Sequence, residues 1–355
     1  MNKKAGEQKM QAGLGIDLGS SAIIASRPDA GIVFSEAAIA AVNSADGSTL
    51  ALGSDAENIL VHNRNSGVKL YRPLKDSIIA RDYTQKFVSR CIGNSIKNTD
   101  KNIDGLRVLV SIPCNFSEVE ESALCEVCVQ AGAAEAYLVY SPIASLVGSG
   151  ITLGSPSLSV NIGASHTDIM LICRGRIFYK STISTAGNEF DLAIANYINE
   201  KHNVKISMRT AEAIKTGIGT VWMGSDRKFL DIKGKDSLGV VRTVRISSDE
   251  MFVALEEPTS AILDALCKAI SKIPTDCVNT VFEKGILLCG GGSMLDGLDK
   301  MISGVTGVKA VLLKNPMGVT SLGLSRMLER LPDRISHGTV NISREYIKNV
   351  TTGGR

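Results

Sequence analysis

A short motif occurs twice, far apart, and it restricts what this 355-residue chain can fold into more than any other feature. Near the start stands Gly15-Ile16-Asp17-Leu18-Gly19-Ser20-Ser21, and in the middle Val160-Asn161-Ile162-Gly163-Ala164-Ser165-His166-Thr167. Each copy ends an apolar strand with a polar residue, then a glycine turn, then hydroxyl residues. One such turn alone is ordinary hairpin chemistry. Two half-chains that each carry one indicate a duplicated fold closing on a shared ligand. Backbone amides in a turn of this kind can point at an anion, with no glycine β-carbon in the way. Asp17, at the strand end, is placed to hold a hydrated Mg2+, which prefers carboxylates, water and phosphate oxygens.

A third stretch, Gly285-Ile286-Leu287-Leu288-Cys289-Gly290-Gly291-Gly292-Ser293, runs from a buried strand pattern into three glycines, with a helix expected from about Leu298. Three glycines in a row permit close approach of a flat ring or a ribose. Taken alone, they also fit a plain strand-to-helix connector. Neither a GxxxxGK[ST] phosphate loop nor a GxGxxG fingerprint after the first strand is present, which disfavours nucleotide binding by those folds.

Apolar stretches suited to buried strands recur at 13–17, 107–112, 136–139, 158–162, 169–173 and 285–289, with helical patterns between them. That alternation is the α/β signature. Capping boxes mark two helix starts, Ser117 with Glu120 and Ser247 with Glu250. The length suits two domains. With 44% hydrophobic and 21% charged residues, the chain reads as a soluble globular protein. Its 39 basic and 36 acidic residues are intermixed, so no basic stripe points to nucleic acid. Eight cysteines lie mostly in apolar runs without metal-ligand spacing, as expected for a reduced cytosolic setting. The single CxxC, Cys125 to Cys128, falls inside a predicted helix with no second pair, and is read as helix packing. Residues 1–12 lack the apolar run of a signal peptide or anchor, and apolar density drops from about 335, so both ends are expected to be polar tails.

The order of these elements resembles the actin, sugar-kinase and heat-shock-chaperone ATPase superfamily, and the intervening sequence is similar to bacterial MreB actins. Besides the three glycine turns, the likeness rests on Tyr71-Arg72-Pro73-Leu74-Lys75-Asp76, Arg107-Val108-Leu109-Val110-Ser111-Ile112-Pro113-Cys114 and Ala131-Gly132-Ala133. It continues through Ala186-Gly187-Asn188-Glu189-Phe190-Asp191, Ala211-Glu212-Ala213-Ile214-Lys215, and Asn315-Pro316 followed by Gly323. The resemblance implies a duplicated, ribonuclease-H-like actin fold of class α/β with a nucleotide cleft between two domains. Domain I would span 13–152 with a small subdomain near 43–73, and domain II 153–334 with one near 189–260. It implies ATP with Mg2+ in the cleft, the metal held by Asp17 through water.

Carried over residue by residue, the first phosphate loop is Asp17, Gly19, Ser20 and Ser21, and the second is Gly163, Ala164, Ser165, His166 and Thr167. Glu212 and Lys215 match the family's ribose and adenine contacts, Gly187 and Thr216 are further nucleotide-binding positions, and Gly290, Gly291 and Gly292 close over the nucleoside. Without the family likeness, Glu212 and Lys215 would read as an exposed ion pair one helical turn apart. Two positions depart from the pattern: Asn161 stands where the family has Asp, and Ser141, before Pro142-Ile143-Ala144, where it has the water-activating Glu. A serine hydroxyl orients water but is a poor base. Binding should therefore survive better than hydrolysis, because phosphate contacts come largely from backbone amides. Glu135 and Asp168 are the nearby carboxylates able to compensate.

The implied function is an ATP-binding, filament-forming scaffold in the cytoplasm, for cell shape or for positioning an organelle as the magnetosome-aligning MamK actins do. Its partner would be itself, head to tail. The alternatives are a pseudo-ATPase adaptor of other filaments and a soluble kinase-like or chaperone-like ATPase. The charge of Lys3, Lys4 and Lys9, with little apolar moment beside it, supports only weak contact with the inner membrane surface.

Overall fold

The computed structural model describes residues 13–62, 67–72, 74–75, 78–79, 81–96, 105–223, 226–331 and 340–351. The expected N-terminal tail, Pro73, Asp76 and residues 335–339 and 352–355 lie outside them.

The strand Arg107–Ile112 is buried at every position and Gly13–Leu18 at its apolar ones, so both need cover on two faces. They pair in parallel at the heart of a five-stranded sheet. Its order is Glu135–Tyr140, Arg107–Ile112, Gly13–Leu18, Ala22–Arg27, Gly31–Ala37, the last two joined as antiparallel hairpin strands. A second sheet repeats the plan in the order Ala310–Leu312, Ile286–Cys289, Ser157–Ile162, Thr167–Cys173, Arg176–Ile183. Again the central strand starts an antiparallel hairpin on one side and takes parallel partners on the other. The twice-written motif therefore lies at the same point of two copies of one sheet topology, after the central strand and before the hairpin return. One large apolar cluster surrounds the first sheet and takes in Met170, Ile172, Leu287 and Cys289 from one face of the second, and another covers the second sheet's opposite face.

Both capping boxes form as the sequence predicts, opening the helices Glu118–Gln130 and Ser248–Ala254. Smaller elements extend each half. Ala40–Asn43, Thr49–Leu52 and Val68–Tyr71 form a three-stranded sheet beside the helix Ser54–His62. In the second half Gly187–His202 and Met208–Ile218 pack together, next to the hairpin Phe229–Lys235 with Val241–Ser247.

Two helices join the halves. Ser141–Gly148 follows the last strand of the first sheet and touches Ser157–Ile162 of the second. Val319–Leu328 follows the last strand of the second sheet and lies on the first. Where they cross, Gly148 and Gly323 have no side chain because there is no space. A β-carbon at Gly323 would overlap the Ala144 carbonyl oxygen, and one at Gly148 would overlap that of Val319.

The polar tail expected from 335 is corrected over 340–351. Leu138 donates its amide to Val340 O and accepts from Ile342 N, both at 2.9 Å, so the segment adds to the free edge of the first sheet. The helix Ser343–Thr351 then buries Tyr346 and Ile347. Ile342, Tyr346, Ile347 and Val350 recur at helical spacing. That stripe packs although average apolar density around it is low. Among the described residues no helix is long and apolar enough to cross a membrane.

Candidate functional site

All three glycine turns meet. In the first, Asp17 lies one residue before the end of its strand, half-buried, and Ser111 Oγ donates to its Oδ1 at 2.5 Å from the neighbouring parallel strand. Burial pushes the Asp17 carboxyl up to about 6, against the Ser111 hydroxyl and the charge of His166. His166 belongs to the second turn, and the halves meet just after it, where Asp168 Oδ1 accepts from Cys114 N, three residues beyond Ser111. Gly19 is required sterically, because a β-carbon there would stand 2.5 Å from the Ala22 carbonyl oxygen. The turn is held from outside: Arg72 Nη1 donates to Ser20 O at 3.1 Å and Ala38 N to Ser21 O at 2.8 Å.

The second turn closes through Gly163 N donating to His166 O at 3.0 Å, and Thr167 Oγ1 donates to Thr185 O at 2.7 Å. Its carbonyls at Gly163 and Ala164 accept from Gly187 N (3.1 Å) and Asn188 N (2.7 Å), the free amides at the start of the helix Gly187–His202. The Ser165 hydroxyl meets His166 Nδ1 at 3.2 Å. The third turn packs straight onto the second. Gly290, at φ +82°, leaves no space for a β-carbon between Ile162 O and Asn161 Oδ1. At Gly292 a β-carbon would stand 2.5 Å from Ile162 Cγ2 and 3.2 Å from Gly163 O. Gly291 is exposed and opens a short 3-10 turn, Gly291–Met294, which precedes the helix expected from Leu298.

On the helix side, Lys215 does not pair with Glu212. Its Nζ meets Asp191 Oδ1 at 2.8 Å and donates to Gly187 O at 3.0 Å, tying two helices together beside the second turn. Burial pushes the Asp191 carboxyl up, opposed by Lys215. Glu212 is exposed on the same helix, with its main-chain carbonyl accepting from Thr216 Oγ1 at 3.0 Å.

The departures take definite places. Ser141 is buried and its hydroxyl donates to Ile112 O at 3.1 Å, so its only proton serves the backbone. Asn161 lies opposite Asp168 in the register of the second sheet. Glu135 is removed from the site: it pairs with Arg107 Nε at 2.8 Å, in register with Arg107, whereas Asp17 is in register with Ser111. Asp168 is fully buried, and its Oδ1 accepts from Cys114 N at 3.0 Å and from Thr182 Oγ1 at 2.5 Å. Lys180 Nζ donates to Cys114 O and to the Tyr140 hydroxyl, both at 2.7 Å. Sequence reasoning missed the roles of Lys180, Thr182 and Asp191. Only Asp191 lay in a stretch already singled out. Cys125 and Cys128 sit within the helix Glu118–Gln130, burial pushes the Cys125 thiol up to about 12, and no metal-holding cluster of His, Cys, Asp and Glu occurs among the described residues.

With this geometry in place, the MreB/Mbl protein family model matches residues 11–336. The chain belongs to the MreB/Mbl family. It is 32% identical over 327 residues to the cell shape-determining protein Mbl of Bacillus cereus, covering 90% of this chain and 98% of that relative. To the cell shape-determining protein MreB of Escherichia coli it is 30% identical over 331 residues, 90% of this chain and 93% of the relative. MreB5 of Spiroplasma citri, in a crystal structure bound to ADP, superposes with a TM-score of 0.83 at 24% identity, covering 90% of this chain and 98% of that one. A MamK double helical filament gives 0.75 at 19% identity, with 91% and 100% covered. The two-domain actin-like fold and the MreB resemblance expected from sequence are borne out, and this MreB/Mbl family member is an actin-like cytoskeletal protein.

Proposed function

We propose that this family member binds a Mg-adenine nucleotide between its two halves, assembles head to tail into filaments for cell shape or intracellular positioning, and hydrolyses ATP slowly. The observation that carries the reading is the convergence of three glycine turns, the first two brought to one seam by the bond of Cys114 N to Asp168 Oδ1 and the third seated on the second. The chain's residues fit the ligand. Gly19, Gly163 and Gly292 keep backbone close to backbone where a β-carbon would intrude, as a phosphate cradle needs. Asp17 is a carboxyl whose charge is under-compensated in its buried setting, the condition a hydrated Mg2+ relieves.

The roles then divide by position. Amides of the turns at 19–21 and 163–167 hold phosphate oxygens, and Asp17 holds the metal's water shell. Lys215, fixed by Asp191, braces the second turn through Gly187 O. Glu212 and Thr216 offer polar groups to a ribose, and Gly290 to Gly292 admit the flat base. The metal, when bound, screens phosphate charge. A ligand touching both turns favours the arrangement in which the halves are closed, and a head-to-tail contact that does not close on itself gives a filament. MreB5 bound to ADP and the MamK filament are the relatives that support each half of this reading. We read the domains as 13–152 and 153–334, a division that the two repeated sheets support. Contact with a membrane surface would come from the charge of Lys3, Lys4 and Lys9. Equilibrium titration with a fluorescent ATP analogue tests binding: saturable, Mg-dependent uptake that Gly292→Val abolishes is expected, and uptake unaffected by that substitution sinks the assignment of the cleft.

A further inference from the structure

We infer that Asp168 is the carboxylate that holds and activates the attacking water, the part Ser141 cannot play; this rests on the nucleotide-binding reading above. Asp168 is fully buried, and its two oxygens are unequal. Oδ1 is fixed by the Cys114 amide and the Thr182 hydroxyl. Oδ2 is buried and accepts no hydrogen bond, with His166 Nε2 standing 3.5 Å from it. A buried carboxylate oxygen without a donor is costly to keep, so its retention calls for a reason. An acceptor without a donor is a seat that a water molecule can take.

Position supplies the reason. Asp168 directly follows the second turn and stands opposite Asn161. Its bond to Cys114 crosses the seam between the halves, three residues beyond the Ser111 that holds Asp17. Asp168 therefore stands at the seam, directly after the second turn and bonded to the strand end that follows the Asp17 partner Ser111. The other candidates fall away: Ser141 gives its proton to Ile112 O, Asn161 has no charge, and Glu135 is bound to Arg107 elsewhere on the sheet. His166 is a second polar wall for the same seat, its Nδ1 engaged by Ser165. Lys180 acts through Cys114 as a positioning residue. By binding Cys114 O from the far side it holds the Cys114 amide on Asp168 Oδ1, so the carboxylate cannot swing.

The step balances with ATP and water alone. Asp168 Oδ2 accepts a hydrogen bond from the water, whose oxygen bonds to the γ-phosphorus. The bond from that phosphorus to the β–γ bridging oxygen breaks, and its electron pair leaves with ADP. The water's proton passes to the Asp168 carboxylate, which returns it to solvent after phosphate departs.

The test compares full-length wild type with Asp168→Asn in three readouts: phosphate release at saturating Mg-ATP, affinity for a fluorescent ATP analogue, and melting of the nucleotide-free protein. Asparagine keeps an acceptor for Cys114 and Thr182 while removing the buried charge. The expected result is phosphate release down by about tenfold or more, affinity within about threefold of wild type, and a melting temperature unchanged or raised. Glu135→Gln should leave release and affinity as they are. A lowered melting temperature with release intact makes Asp168 a structural residue and overturns the inference. Affinity lost in proportion to release places it in the metal's shell, which also overturns it, as does a wild type that binds nucleotide yet releases no phosphate. A wild type that binds no nucleotide takes down the underlying reading as well, and the titration tells that case apart.

Discussion

Substituting Gly323 by alanine is the sharpest test of how the two halves are joined. Gly323 lies inside the helix Val319–Leu328, where alanine is intrinsically the better residue by about 1 kcal/mol. Local propensity alone thus predicts a more stable protein. The crossing with Ser141–Gly148 predicts the reverse. A β-carbon at 323 would overlap the Ala144 carbonyl oxygen, and would stand 2.6 Å from the Ala144 carbonyl carbon and 2.8 Å from Gly148 N. All three are backbone atoms of another helix, so no rotamer relieves the clash and the helices must part. Overpacking of this kind costs about 3 kcal/mol or more. After the propensity gain, a net loss of roughly 2 kcal/mol remains, which lowers a domain's melting temperature by about 4–8 °C. Gly217 is the matched control, since it sits in the helix Met208–Ile218 with nothing within 4 Å of its β-position. Gly217→Ala should raise stability by about 0.5–1 kcal/mol. Calorimetry on both variants decides the matter. If Gly323→Ala melts at or above wild type, the close backbone crossing is wrong.

Asp17, raised to about 6 from 3.8, predicts two opposite pH effects. Mg-nucleotide affinity should be flat above pH about 6 and fall by up to about tenfold per pH unit below it as the carboxyl protonates, a dependence that Asp17→Asn abolishes in the same titration. The nucleotide-free protein should instead lose stability as pH rises through that window, because the folded state binds the proton more tightly; at most roughly 3 kcal/mol is at stake, recovered at pH 7.5 by Asp17→Asn in a melting curve. Ser141→Ala should cost about 1 kcal/mol in urea unfolding for its lost bond to Ile112 O, with phosphate release unchanged. Tyr346→Ala should cost about 3 kcal/mol by the same unfolding measurement, because the ring is buried against the first half, and an effect near zero would return 340–351 to the status of a tail.

Much of the site was legible because its chemistry is local. Gly19, Gly163 and Gly290 to Gly292 follow buried strands at fixed offsets, and a glycine whose β-carbon would strike a neighbouring strand leaves a mark in sequence. The capping boxes at Ser117 and Ser247 were readable for the same reason, since both partners lie three residues apart. What failed to show depends on partners far along the chain. Lys215 reads as a mate for Glu212 until the helix from Gly187 brings Asp191 against it. Ser141 reads as a weak stand-in for an acid until its hydroxyl is found on Ile112 O. Asp168 stood among two candidates, and it takes the Cys114 amide to set it at the seam and Arg107 to draw Glu135 away to tell them apart. The C-terminal helix escaped because its three apolar positions, Tyr346, Ile347 and Val350, are diluted by polar neighbours, while burial depends on their spacing.

The most direct test of the account is sedimentation of purified protein with Mg-ATP, with a non-hydrolysable analogue and with no nucleotide, phosphate release being followed in the same tubes. Pelleting with either nucleotide, little without, and slow phosphate release is the predicted result. No pellet under any condition contradicts the filament, and equal pelleting with and without nucleotide contradicts the claim that the cleft ligand controls assembly.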